Sequence, residues 1–155
     1  MTLAAVRADL ARRAPDLVIE ESAASTATVP LAAAAIGVAP GAIAKTLALR
    51  LAERLLLVAR GDARIDNARF RAVFGTKPKL LDAAATEALT GHPIGGVCPF
   101  GLPAPVRIAC DISLRAFDLV FPAAGAPNAW LRVTPARLAD LCGAEWVDVM
   151  TATDA

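Results

Sequence analysis

The chain has a single histidine, His92, in 155 residues, and three cysteines, Cys98, Cys110 and Cys142, none in C-x-x-C spacing. One histidine excludes a triad or metal cluster that needs several. An odd cysteine count without paired spacing argues against both a disulfide framework and a zinc site, so free thiols are expected and no metal is. No uninterrupted apolar run approaches the roughly 20 residues of a membrane helix. The 56% apolar content and mean hydropathy of +0.52 reflect an alanine excess that adds little burial per residue. The start, Met1 to Arg13, carries Asp9 and a helical pattern instead of a basic cluster and an apolar block, so no signal peptide is expected and a cytoplasmic location follows. A net charge of +1 gives no global basic field; any nucleic-acid contact must be local. Internal repeats are absent.

What is present fits one domain over residues 1–155, long enough to bury a core. Leu3, Val6 and Leu10 recur at helical spacing after Thr2, a candidate cap, and the helix ends before Pro15. Leu17 to Glu20 reads as a short strand. Thr28 and Pro30 open an alanine-rich helix over Leu31 to Ile36, closed by Gly37. Ile43 to Leu51 and Leu55 to Arg60 suggest antiparallel strands joined by a tight turn. Asp66 can cap a helix through Phe74, Lys79 to Leu81 is strand-like, and Ala83 to Leu89 forms a helix ending at Gly91. Further strands are expected at Val106 to Cys110, Phe117 to Phe121, Ala129 to Val133 and Trp146 to Val149, with a helix opened by Thr134 and Pro135 and closed by Gly143. The sum is an α+β domain with a mixed, largely antiparallel sheet flanked by short helices.

The stretch from Leu89 to Gly101 breaks this regularity. Four glycines and two prolines in thirteen residues exclude a helix or central strand and define a shaped loop. Apolar Ile94, Val97 and Phe100 can anchor it while its backbone N–H groups face a ligand.

Lys45 interrupts an apolar strand. It is either a cation on an exposed face, its stem along apolar surface, or a cation aimed into a pocket, where it can hold a phosphate, hydroxyl or carbonyl oxygen. Cys98 lies six residues from His92, which raises a cysteine–histidine nucleophile. The Gly/Pro setting offers no helix N-terminus to depress the thiol pKa, so His92 and Cys98 read as loop architecture and pocket wall. Asp62 and Asp66 fit turn and cap positions, and Asp111 a strand end. Arg64, Arg69, Arg71, Lys77 and Lys79 form a basic cluster, either solvated surface or a seat for a phosphodiester backbone.

Ile43-Ala44-Lys45-Thr46-Leu47, then Gly61 to Asp66, then Thr90 to Gly101 with its Gly-x-x-x-Pro at Gly95 to Pro99, then Ala124-Gly125, resemble the YbaK/EbsC family. These are aminoacyl-tRNA deacylases related to the editing domain of bacterial prolyl-tRNA synthetase. The resemblance runs from about residue 28 to 149. It implies a trans-editing hydrolase that cleaves the ester between a wrong amino acid and the 3′ end of tRNA, most often tRNA for proline. Lys45, Gly95 and Gly96 would stand at the reacting ester. Thr46, His92, Val97, Cys98, Pro99, Gly101, Asp111, Gly125 and Asn128 would stand around the substrate. Its implied partners are the acceptor end of aminoacyl-tRNA and a prolyl-tRNA synthetase, with no cofactor and no membrane. Cysteine-specific relatives carry an acid where this chain has Asn128, Ala129 and Trp130, which leaves alanine, serine, threonine or a small non-protein amino acid as substrates. A rival expectation is a binding module of the same fold, docking on a synthetase or holding an amino-acid-like ligand without turnover.

Overall fold

Four helices in this chain start where a side chain, and stop where a glycine's backbone N–H, satisfies orphan backbone groups. The structure is a computed structural model describing residues 2–152. Helix α1 spans Thr2–Arg13, followed by β1 (Glu20–Glu21), α2 (Val29–Ile36), β2 (Ile43–Arg50), β3 (Arg54–Arg60), β4 (Ala63–Ile65), α3 (Asn67–Phe74) and α4 (Ala83–Thr90). Then come β5 (Arg107–Asp111), β6 (Phe121–Pro122), β7 (Ala129–Trp130), α5 (Pro135–Cys142), β8 (Glu145–Val147) and β9 (Met150–Ala152). The side chains of Thr28, Asp66, Asp82 and Thr134 each accept from the backbone N–H three residues on. Left-handed glycines at 37, 75, 91 and 143 close the same four helices. Thr2 does not act as the expected cap; its hydroxyl donates to the carbonyl of Gly125.

The main sheet has the order β6-β2-β3-β5-β8. Strands β2 and β3 form the expected hairpin, in register from Ala44 opposite Arg60 to Arg50 opposite Arg54. The other three neighbours in that sheet run parallel, while the two-stranded pairs β1–β7 and β4–β9 are antiparallel. Leu55 to Ala59 explains the mixture: all five residues have no exposed surface, so β3 is covered on both faces, as a strand with a parallel neighbour requires. One face packs Leu56 and Val58 with Val6 and Leu10 of α1, Leu138 of α5, and Cys98 and Phe100 of the glycine-rich loop. The opposite face packs Leu55 and Leu57 against Phe70 of α3. A third cluster joins Ala32 and Ala33 of α2 to Ile43, Phe121 and Trp130.

Several strands are shorter than the sequence suggests. Phe117 to Phe121 contributes only β6, because Asp111 accepts from Ser113 N at 2.9 Å and winds residues 112–116 into a 3₁₀ turn. Lys79 to Leu81 makes a single bridge, Leu80 to Leu49. The terminal strand divides into β8 and β9, since Val149 N leaves the ladder to donate to the Asp111 carboxylate at 2.8 Å. Val18 is exposed, and the first strand is reduced to Glu20 and Glu21.

Candidate active site

The outer edge of β2 is paired at both ends and open in the middle. At one end β6 covers only Ile43 and Ala44. At the other, Leu81 N donates to Ala48 O and Arg50 N to Lys79 O, at 2.9 and 2.8 Å. Backbone groups of a strand alternate between its two sides, so the even-numbered residues of β2 point outward, and Thr46 is the one in the gap. Among the described residues its N–H and C=O have no ladder partner on that side. They face a cavity of about 290 Å³ whose wall includes Thr26, Thr28, Lys45, Thr46, Gly95, Val97 and Trp130.

Three buried polar side-chain atoms on that wall lack a hydrogen-bond partner among the described residues: Thr26 Oγ1, Thr46 Oγ1 and Trp130 Nε1. Leaving such a group unsatisfied costs about 1–3 kcal/mol. Together with the Thr46 backbone they supply two hydroxyls that donate or accept, one acceptor-only carbonyl and two donor-only N–H groups.

Lys45 joins them from the neighbouring position of the same strand. Its ammonium donates to Ala63 O at 2.6 Å, which uses one of three protons. Burial pulls its pKa below the ordinary lysine value, and the Asp62 carboxylate pulls the other way. Asp62 is itself gripped by Arg60 at 2.5 and 2.9 Å, and that pairing holds its pKa below the usual carboxylate range.

The glycine-rich loop closes another wall. Gly95 has φ +93°, and a Cβ there would sit 3.0 Å from the Cα and Cβ of Ala27, so glycine lets the loop lie against the segment carrying Thr26. A Cβ on Gly96 would come within 2.6 Å of Ala126 N, in backbone that cannot turn aside. Gly96 itself is stitched on both sides: its N–H donates to Pro93 O and its carbonyl accepts from Gly125 N.

Of the anchors the sequence suggests, Phe100 is buried and Ile94 is not. Ile94 is 58% exposed and stands at the cavity wall, whereas Phe100, His92 and Cys98 have no exposed surface. His92 Nε2 donates to Phe100 O at 2.6 Å, and the His92 backbone N–H donates to Thr90 Oγ1. Burial lowers the imidazole pKa, while the Phe100 carbonyl opposes that shift. Burial pushes the Cys98 thiol up to about 12, so it stays protonated at neutral pH. The pair meets only through the Phe100 carbonyl, with none of the electropositive surroundings that activate a thiol.

Of the residues singled out in the sequence, Lys45, Thr46, Gly95 and Val97 are brought together on this cavity. Pro99 and Gly101 line a different depression beside Asp9 and Arg12 of α1. Asp111 is fully buried and committed to the N–H groups of Ser113 and Val149. Gly96 and Gly125 back the loop, and Asn128 Nδ2 donates to Ser22 O. That bond, with Thr26 N to Pro127 O, ties the Thr26 segment to the turn after β6. Thr26 and Trp130 were not marked as site residues by the sequence. The run Ser25-Thr26-Ala27-Thr28 is a polar signal in retrospect, but only the fold places it opposite β2. Among the described residues no group of three histidine, cysteine or acidic side chains could hold a metal ion.

The aminoacyl-tRNA editing domain family matches residues 23–141, which contain every residue of the cavity wall. Over 152 residues the chain is 40% identical to the uncharacterized protein YwhH of Bacillus subtilis (strain 168), covering 96% of this chain and 97% of that one. It is also similar, at 31% identity and a TM-score of 0.89 over 97% of this chain and 98% of the other, to a crystal structure provisionally described as a trans-editing enzyme for prolyl tRNA synthetase. The chain belongs to the aminoacyl-tRNA editing domain family.

Proposed function

We propose that the protein hydrolyses the ester joining a small, wrongly attached amino acid to the 3′ end of tRNA, with tRNA for proline as the first candidate. The observation that carries this reading is the convergence on one cavity of Lys45, the open Thr46 edge, and Thr26, Thr46 and Trp130, the last three each with an unpartnered buried polar atom. An aminoacyl ester is already activated, so the site must chiefly position water and stabilise the oxyanion. Water adds to the ester carbonyl carbon, and the tetrahedral oxyanion is met by the Lys45 ammonium and the Thr46 N–H. Collapse breaks the bond to the ribose oxygen, which takes up the proton given up by the attacking water. The Thr46 carbonyl and the two threonine hydroxyls accept from the substrate's α-ammonium. Trp130 Nε1 requires an acceptor on the ligand.

The cavity's size limits what enters. At about 290 Å³ it is at the small end of ligand pockets, which suits an aminoacyl group with a short side chain and leaves the terminal adenosine at the mouth. Ile94 and Leu80, 58% and 64% exposed, supply apolar surface on that wall. His92, Cys98, Pro99, Gly101, Asp111, Gly125 and Asn128 act in this reading as supports of the loop and its neighbours, not as groups that touch substrate. The similarity to a structure described as serving prolyl tRNA synthetase favours that synthetase as partner and the cytoplasm as compartment.

The test is a deacylation panel of alanyl-, cysteinyl-, seryl-, threonyl- and prolyl-tRNA with the proline anticodon, beside a matched non-proline tRNA. We expect hydrolysis of a small non-prolyl ester, and a loss of about 100-fold or more in kcat/KM for Lys45→Ala, the range for removing one oxyanion donor. Undiminished turnover by Lys45→Ala on every substrate would refute the role of Lys45. Saturable binding without turnover by the wild type would replace hydrolysis with a binding function.

A further inference from the structure

The near-neutral net charge conceals a division of the chain. Residues 45–79 hold nine basic and three acidic side chains, a local charge of +6, against −5 for the remainder. Pairing sharpens the contrast. Arg7, Arg12, Arg13, Arg60, Arg69, Arg107, Arg132 and Arg137 each meet a carboxylate, and Arg115 lies over the Trp146 ring. Among the described residues the exposed cations with neither an acidic nor an aromatic partner are therefore Arg50, Arg54, Arg64, Arg71, Lys77 and Lys79.

The chain carries them on the β2–β3 hairpin and on the segments next to it. Arg50 and Arg54 are directly opposed across the β2–β3 turn, and the Lys79 carbonyl accepts from Arg50 N. Lys77 lies two residues before it, just beyond Arg71 in the last turn of α3. Arg64 follows Ala63, whose carbonyl holds Lys45. From Lys45 to Arg50 the strand advances about 17 Å at ~3.3 Å per residue, long enough to meet several successive phosphates. Like charges directly opposed across a strand pair are destabilising, and here no acid offsets them. A polyanion would.

We infer that this face is the docking surface for the phosphodiester backbone of the substrate's acceptor arm, with strand β2 leading from the arginine–lysine end to the cavity beside Lys45. The choice of RNA rests on the deacylase reading; the surface itself does not. Backbone neutralisation by lysine and arginine gives affinity that falls steeply with salt, which suits a chain whose remaining surface is negative and repels RNA in other orientations.

The experiment measures binding of uncharged full-length tRNA by fluorescence anisotropy across a salt series, so no hydrolysis is involved. Arg50→Glu/Lys79→Glu is expected to raise Kd at least 30-fold at 0.1 M salt. It should also flatten the slope of log K against log salt by roughly 0.7–0.9 for each phosphate the protein no longer neutralises. Arg71→Glu should act in the same direction. Arg137→Glu, an equal charge change outside the face, should stay within twofold, and all variants should melt within a few degrees of wild type. A double variant that binds like wild type, or an Arg137→Glu that weakens binding as much, would overturn the inference. Equal affinity for duplex DNA of matched length would overturn its assignment to RNA. A hydrolysing wild type whose double variant keeps its KM sinks this surface alone. A wild type that binds uncharged tRNA through the face yet cleaves no ester sinks the deacylase reading and leaves the surface standing.

Discussion

A polar atom without a partner is informative in proportion to its burial, and the cavity wall holds three of them. Thr26 Oγ1, Thr46 Oγ1 and Trp130 Nε1 are chemically undemanding groups that a folded chain readily satisfies internally. All three residues line one cavity, and in the proposed function these atoms are reserved for a ligand. Cys98 is the opposite case. Its sulfur is sealed inside the core with its thiol pKa pushed up to about 12, so alkylating reagents have neither access nor thiolate. Cys98→Ala should therefore retain most of the deacylation rate, and iodoacetamide should leave the wild-type rate unchanged over the same period. Deletion of the sulfur should cost stability, about 1 kcal/mol for a small buried group, read as a modest fall in Tm. Complete loss of rate in a Cys98→Ala protein that melts normally would restore the cysteine as nucleophile.

At the scale of elements, the site depends on how the glycine-rich loop is pressed against its neighbours. Gly96 is the tightest point, because the space a Cβ would need is occupied by the backbone of Gly125 and Ala126. Gly96→Ala should cost about 1–3 kcal/mol, as overpacking does, or ~2–4 °C of Tm for each kcal/mol in a domain of this size. It should also push Gly95 and Val97 away from β2. A fall of at least tenfold in kcat/KM, measured well below the melting temperature, is expected; unchanged kinetics would mean that loop position does not govern the site. The elements themselves were largely legible in the sequence. Thr28, Asp66 and Thr134 with their closing glycines mark three helices by local hydrogen-bond chemistry, and the hairpin follows from two apolar runs around Ala52-Glu53-Arg54. The gap at Thr46 was not legible, because it exists only where β6 and the Lys79–Leu81 segment stop pairing with β2, and both arrive from far along the chain. The position of Trp130 on the cavity likewise needs its bridge to Ala123 and the packing of α2. Charge was misleading in a different way: the +6 stretch was readable residue by residue, but the net value of +1 cancelled it.

For the molecule as a whole, α1 acts as a strut behind the loop. Asp9 receives Arg13 Nε and Nη2 at 2.7 Å each, and it accepts from Gly101 N at 2.8 Å. Arg13 also donates to the Leu141 carbonyl of α5, and Thr2 holds Gly125 at the helix start. One carboxylate thus joins the first helix to the end of the glycine-rich loop. The Arg13 hydrogen bond is the main force holding the Asp9 pKa below its ordinary 3.8; burial opposes it, and the Gly101 N–H adds to it. A carboxylate depressed in the folded state binds fewer protons there than in the unfolded chain, so its stabilisation is complete above the ordinary value and is lost as pH falls through the depressed one. Asp9→Asn should therefore cost about 2 kcal/mol at pH 7, the scale of charge-assisted hydrogen bonds, which corresponds to ~4–8 °C in Tm. The gap between wild type and variant should begin to narrow below about pH 4, where Asp9 of the unfolded chain takes up a proton, and should close once pH passes the depressed value at which folded Asp9 is neutral too. Thermal melts of both proteins at pH 7 and at successively lower pH decide the matter. A constant gap would mean that Asp9 stabilises the loop through packing and not through its charge. A narrowing gap accompanied by a raised KM for Asp9→Asn at pH 7 would tie the strut to the site, since a loosened Gly101 frees the loop that carries Gly95.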